Sequence, residues 1–161
     1  MQHPEFGTCD QIAIYVHNRQ QADGIKKLYG LDEKEWIIDN PVGKAKVMGW
    51  EDQLSAHLEF NNDLMTDVEL ELIRCEGDRH AYTLFPQWEL RQPFMAHIGF
   101  HVKGEWPLIG AAPLVQEMWT EHHSNPFLIK SGRRYHYRIY DTRPQIGVFT
   151  KFIKRIERGG S

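Results

Sequence analysis

The chain has no run approaching the roughly 20 consecutive apolar residues that a bilayer-spanning helix requires, so a membrane-spanning class is not expected. Cysteine is also scarce. Cys9 and Cys75 are the two there are, neither in a Cys-x-x-Cys pair; they make no disulfide framework and read as reduced thiols on strands or in a core. Excess positive charge is missing as well. Nineteen Lys+Arg stand against 22 Asp+Glu for a net charge of −3, which gives no field for nucleic acid or an anionic membrane. Met1-Gln2-His3-Pro4-Glu5-Phe6 has neither a basic n-region nor an apolar h-region, so it does not read as a signal peptide and a cytoplasmic protein is expected. No nucleophile elbow, phosphate-binding glycine loop or His-Glu-x-x-His pattern occurs, which leaves hydrolase, nucleotide-binding and zincin readings without support.

What is present fits one globular domain over 1–161. The chain has 161 residues, 41% of them apolar and 25% charged, enough for a core without staples. Gly159-Gly160-Ser161 read as linker.

The informative feature is an internal repeat. Gln11-Ile12-Ala13-Ile14-Tyr15-Val16 resembles His97-Ile98-Gly99-Phe100-His101-Val102. Both alternate with period 2, Ile12, Ile14 and Val16 (or Ile98, Phe100 and Val102) on one face and Gln11, Ala13 and Tyr15 (or His97, Gly99 and His101) on the other, as half-buried strands do. A helix is predicted after each. Asn18 caps the first, with Ala22, Ile25, Leu28 and Tyr29 apolar and Gly30 as the stop. Pro113 opens the second, with Leu114, Val115, Met118, Trp119 and His122 at helical spacing.

Further strand patterns run over 43–49, 55–61 and 67–74, and again over 127–130, 134–141 and 147–156. Glu71-Leu72-Ile73 matches Lys151-Phe152-Ile153 near the end of each half. The prediction is an α+β fold of two βαβββ modules, about 9–76 and about 95–157, joined by a connector over 77–94, their sheets forming a cup.

Gln11-Ile12-Ala13-Ile14, His97-Ile98-Gly99-Phe100 and Glu71-Leu72-Ile73, in that order and spacing over 9–156, resemble the vicinal oxygen chelate superfamily of glyoxalases, extradiol dioxygenases and bleomycin-resistance-type drug-sequestering proteins. The resemblance implies a cupped mixed sheet of the glyoxalase/dioxygenase-like type, a divalent metal (Zn, Ni, Mn or Fe) and a homodimer. Carried over residue by residue, it implies Gln11, Glu71 and His97 as metal ligands, with Glu71 also catalytic and Glu69 a substitute on the same strand face. An amide oxygen, a carboxylate and an imidazole are a sensible set for such a metal.

The departure lies at the end of the second half. Lys151 stands where the family's lyases carry a second Glu, and no Asp or Glu occurs between Asp141 and Glu157. One reading keeps the metal, with His101, His136 or water as the fourth ligand. The other has the Lys151 ammonium replace it and pair with Glu71. The first gives a metal-dependent lyase, isomerase or dioxygenase acting on a small molecule with vicinal oxygens. The second gives a metal-free binding protein for an aromatic or cationic small molecule, with Trp36, Trp50, Trp88 and Trp106 available as walls. A module used only for protein interaction is a third. The segment 133–138, with His136 between Tyr135 and Tyr137, reads either as a pocket lining or as a charged edge strand.

Overall fold

The computed structural model describes residues 2–3, 6–122 and 134–156. The expected strand over 127–130, and His123, Arg133, Glu157 and the linker, lie outside the described residues. In chain order the elements are β1 (Gln2–His3), β2 (Gly7–Tyr15), α1 (Arg19–Leu28), β3 (Ile37–Asp39), β4 (Pro41–Val47), β5 (Trp50–Met65) and β6 (Val68–Cys75). A 3-10 turn (Ala81–Leu84) and α2 (Pro86–Glu89) follow, then β7 (Phe94–His101), β8 (Leu114–His122), β9 (Arg134–Tyr140), α3 (Arg143–Ile146) and β10 (Phe149–Ile156).

Helix α1 forms where expected. The Asn18 side chain accepts the Gln21 N–H at 2.9 Å, and the chain leaves the helix through Gly30 at φ +68, a left-handed conformation that glycine adopts without strain. Ala22 and Ile25 pack on Val16, Leu72 and Trp36. Leu28 and Tyr29, expected on that face, are exposed.

Two like halves make the sheet. In the first, β2 and β6 run parallel as neighbours, and β5 and β4 follow antiparallel. In the second, β7 and β10 run parallel, and β9 and β8 follow antiparallel. The halves meet at β2–β7, Ala13 opposite His97, and again at β4–β8, Gly43 opposite Thr120. This is the expected cupped mixed sheet, carried to closure: among the described residues eight strands return on themselves and leave no edge of that ring unpaired. Closure needs Gly43, where a Cβ would stand 1.9 Å from the Trp119 carbonyl oxygen.

The second half departs from βαβββ. Residues 114–122 form strand β8 and not the predicted helix. The same residues also carry a period of 2, in which Gln116, Met118 and Thr120 are buried while Glu117 and Trp119 alternate with them toward the outer face. What decides between the periods is the unpaired side of β4, whose backbone groups need a partner. Trp106, in the loop before β8, lies on the outer face with its ring 4.9 Å from His136 and with Arg138 and Lys154 over it at 4.6 and 4.4 Å.

The connector stops one end of the barrel. Ala81, Tyr82 and Phe85 pack into the core with Tyr15, Ile73, Phe94, Ile139 and Phe149. Arg143 fastens it: two guanidinium nitrogens sit 2.8 Å from the Asp141 carboxylate oxygens, a third donates to the Leu84 carbonyl, and the group covers Phe85 and Phe149.

His80, also in the connector, is wholly buried. Its Nε2 meets the Gly77 carbonyl at 3.1 Å, while Nδ1 has no partner among the described residues. Burial, opposed by the Gly77 bond and Asp78 and aided by His17, pushes its pKa from 6.5 down to about 4. The folded state thus refuses a proton that the unfolded state accepts, so this contribution is complete above pH 6.5 and fades as the pH falls toward 4. Urea titrations should show about 2 kcal/mol less stability from this group at pH 5 than at pH 7.5. His80→Gln should flatten that slope, and an unchanged slope would refute the assignment.

Candidate functional site

Four neighbouring strands, in the order β6-β2-β7-β10, carry the residues singled out in the sequence. Their registers set two rungs inside the barrel. On one, Glu71, Ala13 and His97 stand side by side, with Phe149 next; on the other, Glu69, Gln11, Gly99 and Lys151 do. The small residues are spacers. Ala13 lets Glu71 and His97 approach across it, so that His97 Nε2 is 3.7 Å from Glu71 Oε1. Gly99 makes room for the Gln11 side chain, because a Cβ there would lie 2.9 Å from Gln11 Cβ and Oε1.

Gln11, Glu71, His97 and Lys151 are all buried, His97 completely. His97 Nε2 lies 2.8 Å from Gln11 Oε1, and Gln11 Nε2 donates to Glu69 Oε1 at 3.1 Å. On its other side, His97 Nδ1 meets the Tyr82 hydroxyl at 2.9 Å. Burial, helped by the Lys151 charge, holds the His97 pKa well below its ordinary value, so the ring is neutral. Burial, then Cys75 and Glu71, raises the Tyr82 phenol well above its own, so it keeps its proton. Burial likewise pushes the free Cys75 thiol up to about 12, with Lys151 pulling the other way and Glu71 adding to the rise.

The Lys151 ammonium lies 4.3 Å from the centre of the Tyr137 ring, a cation–π arrangement in a largely desolvated place. Tyr137 is fixed in turn, accepting from Gln116 Nε2 at 3.1 Å and donating to Met118 Sδ at 2.8 Å. Gln11, Glu71 and Lys151 line a cleft with Leu58, Phe60, Thr120, Tyr135, Tyr137 and Ile153, and His101 also lines it. His101 Nδ1 is 2.7 Å from Asp10 Oδ1.

Some expectations about the lining need correction. His136 projects from the outer face of β9, stacked on Trp119 at 4.6 Å and 3.2 Å from Glu117; alternation along β9 turns Tyr135 and Tyr137 to the cleft and therefore His136 away. Trp36, Trp50, Trp88 and Trp106 do not line the cleft either. Trp36 donates to the Leu31 carbonyl beside α1, Trp50 is exposed, Trp88 packs by the connector and Trp106 lies outside. Phe60, Thr120 and Tyr82 were not singled out by sequence reasoning. The alternation of β5 and β8 carries a signal for the first two, whereas Tyr82 sits in a connector without periodicity.

The donor set can be tested against a divalent cation. Among the described residues no group of three or more His, Cys, Asp or Glu side chains is placed to hold a metal ion. Gln11, Glu71 and His97 do converge, but the proton on His97 is in the way. The hydroxyl of Tyr82 has His97 Nδ1 as its one hydrogen-bond partner among the described residues. To satisfy that buried donor the hydroxyl must donate to Nδ1, which leaves the ring proton on Nε2, donating to Gln11 Oε1. The Nε2–H and the amide oxygen then face each other through a hydrogen bond, so Nε2 offers no lone pair to a cation. Lys151 adds a positive charge in the same cleft. In this arrangement the residues do not fit a divalent metal.

No family model matches the chain, and no curated protein matches it. Among solved structures it is similar to a methylmalonyl-CoA epimerase, with 11% identity over 96% of this chain and 99% of that one and a TM-score of 0.47. It is also similar to the Streptomyces coelicolor methylmalonyl-CoA epimerase in complex with 2-nitronate-propionyl-CoA, with 14% identity over 91% and 93% and a TM-score of 0.44. A hypothetical protein from Bacillus halodurans C-125 gives 16% identity over 94% and 96% and a TM-score of 0.43. Among the described residues no helix is long and apolar enough to cross a membrane.

Proposed function

We propose that this chain binds a small organic molecule in the barrel cleft without a divalent metal. One observation carries the reading: Lys151 puts a buried ammonium into the cleft with Gln11 and Glu71, at the position where the resembled lyases carry a second Glu. A divalent cation beside that ammonium would meet strong repulsion at low dielectric. The cleft offers a fixed positive charge, aromatic faces from Phe60, Tyr135 and Tyr137, and a buried amide. That mixture of apolar wall and few polar groups is what small-molecule sites have in common.

The competing reading, a metal-dependent lyase, isomerase or dioxygenase, draws its support from the convergence of Gln11 Oε1, His97 Nε2 and Glu71 Oε1. Elemental analysis separates the two. Protein incubated with Zn, Ni, Mn or Fe(II) salts and then desalted is expected to retain well under 0.1 metal per chain. About one per chain, lost in His97→Ala or Glu71→Ala variants that remain folded, would overturn the proposal.

A further inference from the structure

Gln11 and Lys151 flank Gly99 on one rung, and both line the cleft. With neighbouring strands about 4.8 Å apart, their backbones stand roughly 10 Å from each other. Which atoms they offer a ligand depends on how the Gln11 carboxamide is turned. Its oxygen is taken by His97 Nε2 and one N–H by Glu69, while its second N–H has no partner among the described residues. A buried amide donor lining a cleft calls for an acceptor there.

The turn of that amide is set two residues away. Tyr82 donates to His97 Nδ1, the ring proton therefore sits on Nε2, and Nε2–H can face only an acceptor, so the Gln11 oxygen points at His97 and the nitrogen elsewhere. We infer that Tyr82 is a positioning residue that acts through His97 to hold Gln11 as a hydrogen-bond donor, so that Gln11 and Lys151 together select a ligand by an acceptor oxygen. This rests on the metal-free reading above.

The charges narrow the ligand class. Glu71 lines the same cleft and supplies a negative charge against Lys151. An anion would bring a second buried negative charge, whereas the oxygen of an uncharged carbonyl takes both donors without one. Phe60, Tyr135 and Tyr137 supply ring faces beside that oxygen. The site fits an uncharged aromatic ketone, aldehyde or amide.

Acetophenone serves as the probe, with benzoate and benzamidine as its anionic and cationic counterparts, each titrated calorimetrically into the intact chain. Acetophenone is expected to bind best. Tyr82→Phe and Gln11→Glu are each expected to weaken it about tenfold, the size of one lost hydrogen bond. Circular dichroism and the melting temperature confirm that each variant is folded. Side-chain nitrogen NMR of His97 should show the Nε2–H tautomer in the parent and its loss of dominance in Tyr82→Phe, a change that a merely structural role for Tyr82 would not produce. An Nδ1–H tautomer in the parent, or unchanged affinity in a folded Tyr82→Phe protein, would overturn the positioning role. Tighter binding of benzamidine or benzoate than of acetophenone, or no binding of acetophenone, would overturn the ligand class. Neither result bears on metal content, which decides the proposed function separately.

Discussion

Replacing Gly43 by alanine should cost at least about 4 kcal/mol of stability, near the top of the range for single substitutions. The added methyl would lie 1.9 Å from the Trp119 carbonyl oxygen, 2.8 Å from its carbon and 3.0 Å from Thr120 Cα. These are backbone atoms of the partner strand, so no side-chain rotation relieves the contact. Gly43 is also paired with Leu54 on the other side; β4 is thus held on one flank and pushed off the other. The expected structural result is a barrel opened between β4 and β8, with faster amide exchange along 42–47 and 116–121 and Thr120 moved from the cleft wall. Gly24→Ala is the control. That glycine is exposed within α1, nothing lies within 4 Å of its missing Cβ, and the change should stabilise by about 0.5–1 kcal/mol. Chemical denaturation of both variants checks the pair. A Gly43→Ala protein within about 1 kcal/mol of the parent would mean that the two halves do not close on each other as described.

That closure marks the limit of what the sequence made legible. The strands on either side of the first join could be read from alternation alone. Gln11, Ala13 and Tyr15, and His97, Gly99 and His101, share faces because a strand repeats every two residues. The internal repeat placed Glu71 and Lys151 at matching points of the two halves, and the registers bring them together with Gln11 and His97, Ala13 and Gly99 lying between.

Residues 114–122 satisfy two periods at once, and the choice between them lies outside the segment, in the free side of β4 that only a tertiary neighbour can satisfy. For His136 alternation alone leaves both readings open, because it needs a fixed point; once Ile139 is known to be buried, Tyr135 and Tyr137 go inward with it. Tyr82 gave no signal, because a connector has no repeat to reveal which of its residues turns inward.

The buried polar groups also show why ligand identity is hard to carry across likenesses of this kind. Gln, Glu and His at the three expected positions are compatible with a metal by residue type. What they can do here is decided by neighbours that no short motif contains: the hydroxyl of Tyr82 on His97 Nδ1 and the charge of Lys151, which is felt at the same ring. Protonation and amide orientation are properties of the network and not of its members.

Lys151→Glu should therefore exchange one chemistry for another, and in a definite order. Without metal the variant places a second carboxylate in the cleft that Glu71 already lines, and it loses the ammonium stacked on Tyr137. Two carboxylates sharing a desolvated site cannot both ionise without cost, so stability at pH 7 should fall by about 3 kcal/mol, the scale of a broken buried pair. The loss should shrink toward pH 5, because one of the two carboxyls then holds a proton in the folded state. Zinc supplies the missing positive charge. Binding must also move the His97 proton from Nε2 to Nδ1 and turn the Tyr82 hydroxyl around, so the affinity gained is less than the charge change alone would give. A further Tyr82→Phe change removes the hydroxyl that must turn, but it also leaves the Nδ1–H of a zinc-bound His97 without its acceptor, so it should not tighten zinc binding. Thermal unfolding with and without zinc, and calorimetric titration, read both effects. The parent should melt at the same temperature either way, and the Lys151→Glu protein should be raised by zinc to near the parent. If zinc stabilises the parent as much as the variant, the ammonium does not stand in for a cation and the metal-free reading fails.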